Sequence, residues 1–354
     1  MLMTSIDEIL RSAPQWNSLK TSLDLPMGEF EWLLSSFENL SSGKKPYLEY
    51  TTEDDKIMAL APLVKAPGFF SPLELIGSGE HGEPIDFCYA NSKALRELVS
   101  DLSNNNRPLL LNRVPLTSPL HSAIKKSYKG KGIVYVSKEQ TCPFIEISKE
   151  DPLSSSLKRD LRRAQRKADA MGEVDFELHT PDSEKEFNPL WDQCLEIESA
   201  NWKGECESSL KKDQIIGSFY KTFALKAAKS GSLKIGLLKI SGKAVAMQIA
   251  LERGKRFWLL KIGYNENYRN CSPGQILMNH TFQYAFDKKL RSYEFLGNPS
   301  AWTKRWTKNE RDNLRIKVYP YSLRGMGLFA IDGFKFLAGK LRDARNKNAK
   351  STKK

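Results

Sequence analysis

One stretch between residues 257 and 297 constrains the fold of this chain more than any other. Residues 257–264 (FWLLKIGY) form a short aromatic and aliphatic run, which is typical of a buried strand. Ser272-Pro273 predicts a helix start, because a serine hydroxyl can act as N-cap and proline favours the first helical position. Apolar residues then recur at helical spacing as far as Phe286, and a second short strand is predicted at 293–296. The stretch is therefore predicted to fold as strand, loop, helix and strand.

The predicted start of this helix is suited to binding an anion. The first N–H groups of a helix have no partner within it, and the helix dipole adds partial positive charge there. Gly274 has no Cβ atom, so a phosphate could approach the backbone closely. The same Ser-Pro-Gly sequence would also start any helix on an α/β sheet, since it matches neither a Walker nor a dinucleotide fingerprint. The tripeptide alone leaves both interpretations open.

Three short motifs in this half of the chain resemble those of one enzyme family. They are Lys261-Ile262-Gly263-Tyr264-Asn265-Glu266, Ser272-Pro273-Gly274-Gln275-Ile276-Leu277 and Phe295-Leu296-Gly297. Together they resemble the acyl-CoA-binding core of GNAT-type N-acyltransferases. More narrowly, they resemble a two-lobed bacterial branch associated with cellulose and exopolysaccharide biosynthesis and related to the Fem-type aminoacyl ligases. The resemblance covers residues 150–320 well and the first half more loosely. It implies an α/β fold of two tandem GNAT-like lobes with mixed central sheets.

The order of predicted elements also indicates two lobes, and 354 residues are enough for two domains. The second half repeats the GNAT order, and the first half looks like a degenerate copy without Ser-Pro-Gly. We expect an N-terminal lobe at 1–150, an acyl-CoA-binding lobe at 151–325, and a docked helix with a frayed basic end at 326–354. Pro62 should place the predicted strand 56–64 at a sheet edge or bulge.

The resemblance implies acetyl-CoA or another acyl-CoA as co-substrate, no metal, and direct attack of an acceptor amine on the thioester. Alignment of the two substrates then does most of the work. An N–H on a splayed strand would hold the thioester carbonyl and its developing oxyanion, and the pyrophosphate would lie at the helix start. The candidates are the backbone groups of Ile262, Gly263 and Tyr264 for the carbonyl, and Ser272, Gly274 and Gln275 for the pyrophosphate.

Three residues are candidates for proton transfer. Tyr264 and Tyr268 could protonate the departing thiolate, although each could equally pack a hydrophobic rim. Glu198 lies where the resemblance places the acceptor pocket, and it could act as general base or form a solvated helix end. Cys271 has no visible histidine partner, so we do not expect a nucleophilic cysteine.

Two tryptophan-containing segments are candidates for acceptor binding. Trp202 follows Glu198 in the region that the resemblance assigns to the acceptor pocket. Trp302, Lys304 and Arg305 could hold a sugar ring with an acidic group, or a nucleotide. They could equally belong to a helix that packs on the core with both cations solvated.

The net charge of +13 favours acidic partners and is concentrated in two places. Six of the ten residues 158–167 are basic, and the C-terminal tail is basic as well. The helix at 158–167 and the tail could attract CoA phosphates, tRNA or an anionic membrane surface. The helix could also be an ordinary solvated one, with its apolar stripe on the core: Leu157, Leu161, Ala164, Ala168 and Met171.

Several other classes of protein are disfavoured. No run approaches the length of a membrane span, and the N-terminus lacks the features of a signal peptide. The five cysteines are widely spaced without a C-x-x-C motif, so we expect neither a disulfide framework nor structural zinc. We therefore expect a cytoplasmic protein, which could also bind peripherally to the inner face of the membrane.

The resemblance implies an N-acyltransferase that moves an acetyl or other acyl group from acyl-CoA to an amine of a polar acceptor. By analogy with the family, the acceptor is an amino sugar or sugar nucleotide. Two alternatives stay open. One is a Fem-type aminoacyl-tRNA-dependent ligase. The basic excess suits this alternative, but the sequence has no candidate for the long helical hairpin that many such ligases contain. The other is a non-catalytic binding protein on a GNAT-like core.

Overall fold

A large mixed β-sheet runs through the computed structural model, which describes residues 1–16, 19, 24–40, 43–148, 150, 152–200, 210–211 and 213–351. The strands are β1 (Leu2–Met3), β2 (Lys45–Glu53), β3 (Lys56–Lys65), β4 (Leu73–Leu75), β5 (Cys88–Tyr89), β6 (Leu109–Pro115), β7 (Gly132–Glu146), β8 (Val174–His179), β9 (Leu233–Ile240), β10 (Lys243–Arg253), β11 (Arg256–Tyr264), β12 (Ser292–Glu294) and β13 (Glu310–Pro320). The α-helices are α1 (Ile6–Ser12), α2 (Phe30–Asn39), α3 (Ser92–Asn104), α4 (Leu120–Ser127), α5 (Ser155–Asp169), α6 (Glu184–Ala200), α7 (Gln214–Lys229), α8 (Pro273–Asp287), α9 (Thr303–Trp306) and α10 (Leu323–Ser351).

These strands form one continuous sheet in the order β1-β2-β3-β4-β6-β13-β7-β12-β11-β10-β9-β8, with β5 paired to β3. The pairs β4–β6 and β11–β12 are parallel, and the other pairs are antiparallel. The mixed central sheets expected for two lobes are therefore joined edge to edge in one sheet.

The junction is made by β7 and β13. In β13, Ile316 pairs with Leu111 of β6 on one side and with Val136 of β7 on the other. The end of β7 then pairs with β12, where Ile145 lies opposite Tyr293. Each half of the chain thus contributes a strand to the other half of the sheet. The sequence also predicts a strand at 132–136, which proves to be only the start of β7, and the expected lobe boundary at residue 150 remains a prediction.

Helices cover both faces of the C-terminal part of the sheet. Alternate residues of a strand point to opposite faces, and the buried residues of β10 divide in this way. Met247 and Ile249 belong to the core that includes α6 and α7, whereas Ala246 and Ala250 pack with residues of α8. The α6–α7 face and the α8 face are therefore distinct sides of one layer.

The sequence also predicts a serine N-cap within 154–156 and a C-cap at Ser230-Gly231, and both predictions are confirmed. Ser154 is the N-cap of α5 and accepts the N–H of Leu157 at 3.3 Å. The predicted stripe of α5 is buried from Leu157 to Ala168, but Met171 is exposed, because α5 ends at Asp169. The predicted C-cap of α7 is also confirmed, since Gly231 follows the cap with a φ of +68°.

The predicted position of Pro62 is wrong. β3 lies between β2 and β4, so Pro62 is in an interior strand, and the register shift of β3 with β2 lies at Thr51/Thr52 instead. The carbonyl of Pro62 accepts the N–H of Ile76, one residue beyond the end of β4. Because N and C=O of one residue point to the same edge of an antiparallel strand, the ring nitrogen of Pro62 faces the β4 side, just beyond the three residues of β3 that pair with β4.

The C-terminal helix is docked over only part of its length. The ring of Phe329 packs on Tyr319 at 5.2 Å, and Asp332 accepts hydrogen bonds from Lys317 and Tyr319. Further along α10, Phe334, Phe336 and Leu337 are exposed. The expectation of a docked apolar helix thus holds only for its first turns.

Candidate active site

Strands β11 and β12 run side by side and then separate. Three residues of β11, Arg256 to Trp258, pair in parallel with Ser292 to Glu294. β12 ends there, whereas β11 continues to Tyr264. Among the described residues, the part of β11 beyond Trp258 therefore has no strand partner on its β12 side, and we call the space along this unpaired edge the opening.

The backbone of β11 turns alternate residues toward this opening. The N–H of Asn265 bonds to the carbonyl of Val245, next to β10, and in an antiparallel pair the bonding edge alternates from residue to residue. Gly263 is therefore directed at β10, and Ile262 and Tyr264 are directed at the opening. Of the three backbone positions predicted to hold the thioester, Ile262 and Tyr264 therefore face the opening and Gly263 does not.

Helix α8 begins beside this opening, but its first turn differs from the prediction. Pro273 is the first helical residue, as predicted. Ser272, however, has left-handed backbone angles (φ 51°, ψ 55°), and its side chain makes no capping hydrogen bond. A capping hydroxyl requires an extended N-cap backbone, so the predicted hydroxyl cap is wrong. The carbonyl of Ser272 accepts the N–H of Gln275 at 2.9 Å instead.

Gly274 brings the start of α8 against the end of β11. A Cβ atom added at Gly274 would lie 3.5 Å from Cδ1 of Tyr264 and 3.8 Å from Cδ1 of Ile262. Both distances are ordinary van der Waals contacts, so a methyl group fits, whereas a long side chain would extend into the opening. Gly274 therefore matters for the space that it leaves beside β11, and its backbone conformation does not itself require a glycine.

The other residues predicted on this side have structural partners. Gln275 accepts a hydrogen bond from the indole N–H of Trp306 at 2.8 Å, which joins α8 to α9. Tyr268 packs with Cys271 and Ile276, and its carbonyl accepts the Cys271 thiol. Burial raises the pKa of the Cys271 thiol, which keeps it protonated.

The phenol of Tyr264 keeps its proton near neutral pH. Burial raises its pKa, and the neighbouring Glu266 raises it further. The Tyr264 hydroxyl and Oε1 of Glu266 are 3.3 Å apart. Tyr264 thus has a proton available at the edge of the opening.

The opposite face of β11 carries charged groups. Lys261 and Gly263 alternate with Ile262 and Tyr264, so their side-chain positions face α6 and α7. A Cβ atom at Gly263 would lie 3.6 Å from Cα of Glu198. The Glu198 carboxylate accepts the N–H of Leu210 at 2.8 Å. The predicted base therefore lies beside β11, across the strand from Gly274.

Lys261 is a charged group of this face to which the sequence analysis assigned no role. Its ammonium lies 4.7 Å from the centre of the Tyr220 ring. Burial lowers the pKa of Lys261, and the nearby carboxylates of Glu198 and Glu83 oppose this shift. The lysine adds a second ionisable group next to Glu198.

Two buried residues from the first half of the chain hold the far side of the opening, and the sequence analysis missed both. The Glu83 carboxylate accepts the N–H of Gly297 at 3.0 Å. Arg113 donates to the Gly297 carbonyl at 2.9 Å and to Oδ1 of Asn298 at 2.7 Å. The peptide groups on both sides of Gly297 are thus fixed. In the sequence these two residues differ little from their surroundings, since Arg113 is a single charge in an apolar strand and Glu83 lies in a loop between a glycine and a proline.

His81 fixes the backbone of Glu83 through a hydrogen bond. Its Nδ1 accepts the N–H of Glu83 at 3.1 Å, and its ring lies against Trp32 and Phe219. Burial lowers the pKa of His81 to about 3, so the ring is neutral.

Of the predicted acceptor residues, Trp302, Lys304 and Arg305 contact residues other than Tyr264 and Glu198. The ring of Trp302 packs on Phe295 at 5.8 Å, and Arg305 pairs with Asp160 of α5 at 2.8 Å. Lys304 and Arg305 line a cavity of about 540 Å³ between α5 and α9, whose lining contains neither Tyr264 nor Glu198. Trp202 lies outside the described residues. An acceptor role for these four residues remains a prediction.

The basic helix α5 lies along α8. Lys158 and Arg162 line a groove of about 360 Å³ between the two helices. Near its other end, the ammonium of Lys167 donates to the carbonyl of Asn270 at 3.1 Å, two residues before Ser272. One cation of α5 therefore lies at the start of α8.

Comparison with known proteins identifies the fold. Residues 155–304 match the family model described as an acetyltransferase (GNAT) domain, which runs from α5 to the start of α9. The protein has a GNAT-like fold. The expected α/β fold class is thereby confirmed, and the opening between β11 and β12 lies within the matched GNAT domain.

Solved structures with low sequence identity share this fold over most of the chain. FemX superposes with a TM-score of 0.57 at 10% identity, covering 91% of this chain and 98% of that chain. The C-terminal domain of a putative lysylphosphatidylglycerol synthetase from Agrobacterium fabrum gives 0.54 at 11% identity, covering 92% and 95%. L-PGS from Bacillus licheniformis gives 0.54 at 12% identity, covering 94% and 95%. A search of curated protein sequences gives no significant match.

The part of the chain that the structure describes contains neither a cluster of metal-ligand side chains nor a helix that could cross a membrane. Within the ranges given above, no three histidine, cysteine or acidic side chains are grouped so that they could bind a metal ion. In the same part of the chain, no helix combines the length and apolar character needed to cross a membrane.

Proposed function

We propose that this GNAT-like protein transfers an acyl group, acetyl in the simplest case, from acyl-CoA to an amine of a polar acceptor. The observation that carries the proposal is the separation of β11 from β12 beside Gly274. An extended pantetheine arm can hydrogen-bond along a strand edge that has no neighbour, as an added strand does. The diphosphate then lies at the start of α8, where helical N–H groups and the dipole favour negative charge.

The two faces of β11 suggest where each substrate enters. Gly274 and the basic helix α5 lie on the α8 side, which suits the nucleotide part of the donor. Glu198 and Lys261 lie on the α6–α7 side, which suits a polar acceptor. The amine and the thioester would meet in the opening, where the N–H groups of Ile262 and Tyr264 can stabilise the oxyanion.

The proposed reaction is a direct displacement. The amine nitrogen attacks the thioester carbon, the C–N bond forms, and collapse of the tetrahedral intermediate breaks the C–S bond. Glu198 takes the proton of the attacking amine, directly or through water, and Tyr264 or Tyr268 protonates the thiolate. The raised pKa of the Tyr264 phenol keeps this proton in place until the thiolate forms.

For the acceptor we propose an amino sugar or sugar nucleotide of polysaccharide biosynthesis, in line with the motif resemblance. The charged groups near the opening, Glu198 and Lys261, suit a polar molecule that carries an amine. Trp202, Trp302, Lys304 and Arg305 stay candidates for its more distant parts.

The basic residues of α5 favour one alternative, a Fem-type ligase whose donor is an aminoacyl-tRNA. FemX and the lysylphosphatidylglycerol synthetase domain share the fold, and six basic residues in ten would suit an RNA phosphate backbone. In both cases the acyl group would reach the same opening. The donor therefore decides between the two hypotheses.

Calorimetric titration with acetyl-CoA tests the proposal on the wild type, Gly274→Glu and Gly274→Ala. The wild type should bind in the micromolar range. The glutamate should abolish binding because it fills the opening with a like charge, and alanine should bind within a few-fold of wild type, since its Cβ fits.

A folded wild type that binds neither acetyl-CoA nor longer acyl-CoAs would refute the acyl-CoA donor. If the same protein then bound charged tRNA with a steep salt dependence, the Fem-type alternative would replace it. Equal binding by Gly274→Glu would show that the nucleotide lies elsewhere.

A further inference from the structure

Helix α10 and a neighbouring loop expose an unusual amount of apolar surface. On α10, Leu323 and Phe334 are 77% and 75% exposed, and Leu337 is also exposed. Phe69 and Phe70, in the loop between β3 and β4, are exposed as well. Large apolar side chains scattered singly over a surface need no explanation, but a cluster marks an interaction site.

The loop and the helix form one continuous surface. The rings of Phe69 and Phe70 are in edge contact at 5.1 Å. Phe70 lies so close to Gly327 that a Cβ atom there would be 2.3 Å from its ring. The guanidinium of Arg324 lies 4.8 Å from the centre of the Phe69 ring. The loop is therefore held against the first turns of α10.

Most of the strongly exposed apolar residues of α10 lie opposite its docked side; Phe336 is the exception, since it lies on the side of Phe329 and Asp332 but beyond their docking contacts. Gly325, Phe329 and Asp332, spaced four and three residues apart, contact Pro320, Tyr319 and Lys317. At 3.6 residues per turn, Leu323, Phe334 and Leu337 lie on the opposite side of the helix. The docking contacts thus turn the apolar face outward.

Positive charge borders this face. Lys335 and Lys340 lie about a quarter turn or more to either side of Phe334 in the helical projection. Residues 323–351 contain seven lysines and arginines against two aspartates, and one of these, Asp332, pairs with Lys317. Two copies of this helix would bring like charges together, whereas an anionic lipid surface complements both the charge and the apolar face.

We propose that the apolar–basic patch, consisting of Phe69, Phe70, Leu323, Phe334 and Leu337 with Lys335 and Lys340, binds the surface of an anionic phospholipid bilayer. The helix lies in the interface, with its apolar side chains among the acyl chains and its lysines extended to the headgroups. Binding combines apolar burial with attraction to negative lipid. This proposal concerns a surface separate from the opening and does not depend on the acyl donor.

Sedimentation with vesicles tests the proposal on the full chain. The vesicles are phosphatidylcholine with or without phosphatidylglycerol, at low and at near-physiological salt. The variants are Phe334→Ser with Leu337→Ser, Lys335→Gln with Lys340→Gln, and a control, Leu10→Ser with Ile215→Ser, which removes two exposed apolar side chains on α1 and α7.

The wild type and the control should sediment with phosphatidylglycerol vesicles and stay in solution with neutral ones. Each patch variant should bind about tenfold or more weakly, and salt should weaken wild-type binding. All four proteins should keep the same acyl-CoA affinity, which separates this test from that of the proposed function.

Three results would overturn the proposal: no vesicle binding by the wild type, equal binding to neutral and anionic vesicles, or patch variants that bind like the wild type. If the wild type instead forms a dimer in sedimentation velocity that Phe334→Ser with Leu337→Ser abolishes, and does not bind vesicles, the patch joins two copies.

Discussion

At the scale of single residues, His81 links the candidate site to acid stability. Its Nδ1 accepts a hydrogen bond from the Glu83 N–H, so protonation would place two donors face to face in a buried position. Burial lowers the pKa of His81 to about 3, whereas an unfolded histidine has a pKa of about 6.5. Below about pH 6.5 the unfolded chain takes up a proton that the folded protein does not. The contribution of His81 is therefore intact above that pH and is lost as the pH falls toward 3.

Lowering the pH from about 7.5 to about 5.5 should cost the wild type about 1.4 kcal/mol through His81. His81→Asn keeps an acceptor for the Glu83 N–H but does not titrate, so it should start less stable and lose less on acidification. Urea unfolding at both pH values measures the difference. His121→Asn is the control and should lose as much as the wild type.

Comparing the variants with the wild type also cancels the contribution that Glu49 makes to the pH dependence of stability. Burial raises the pKa of Glu49 to about 7, so its contribution changes in the opposite direction, being lost as the pH rises. It is present in all three proteins. An equal acid-induced loss in His81→Asn would contradict the role given to His81.

The site residues that the sequence could predict are those whose role depends on local backbone. Pro273 and Gly274 predict a helix start, and in the structure that start lies against β11. Glu83 and Arg113 act on Gly297, more than 180 residues away in the chain, through hydrogen bonds that no local pattern encodes. The hydroxyl cap predicted for Ser272 is absent because Ser272 also ends the 3-10 helix Glu266–Cys271, where its backbone is left-handed.

At the scale of elements, α5 and α8 together form the proposed binding surface for the nucleotide. Lys167 reaches the loop that leads into α8, whereas Lys158 lies nine residues earlier on the same helix and lines the groove further along α8. The two lysines therefore differ in place but not in charge.

Lys167→Gln should weaken acyl-CoA binding about three- to tenfold and reduce its dependence on salt, because one cation near the diphosphate is removed. Lys158→Gln should change the affinity less than twofold. Calorimetry at two salt concentrations measures both effects. Equal losses in the two variants would indicate a diffuse field of the whole helix instead of a local contact.

Helices were predicted well because capping residues and apolar spacing lie within the segment itself, as in α5 with Ser154 and its buried stripe. Strands were predicted less completely. The second part of β7 contains Lys138-Glu139-Gln140-Thr141, which lacks apolar alternation, yet it pairs with β13 and then β12. Its partners come from residues 292–320, so distant pairing decides its structure.

At the scale of the whole molecule, the exchange of β7 and β13 makes the two halves depend on each other. A fragment of residues 150–354 lacks both β6 and β7, so β12 loses one neighbour, β13 loses both, and strand edges are exposed. We expect this fragment to aggregate, and a fragment of residues 128–354, which restores β7, to be more soluble. Gel filtration and thermal melting by circular dichroism measure both.

The full chain should melt in one transition for the same reason. If residues 150–354 fold cooperatively and bind acyl-CoA with the affinity of the full chain, the expected boundary at residue 150 marks an independent domain, and its pairing with β7 is dispensable.

The pairing of β6 with β13 also has a consequence during protein synthesis. Val114 and Leu314 are partners although 200 residues separate them, so β6 leaves the ribosome long before β13 exists. At about 5–20 residues per second, translation of that interval takes roughly 10–40 s. For that time the nascent chain carries an apolar strand with an open edge, which is a template for aggregation. Protection of residues 109–115 from other chains during that interval would therefore favour correct folding.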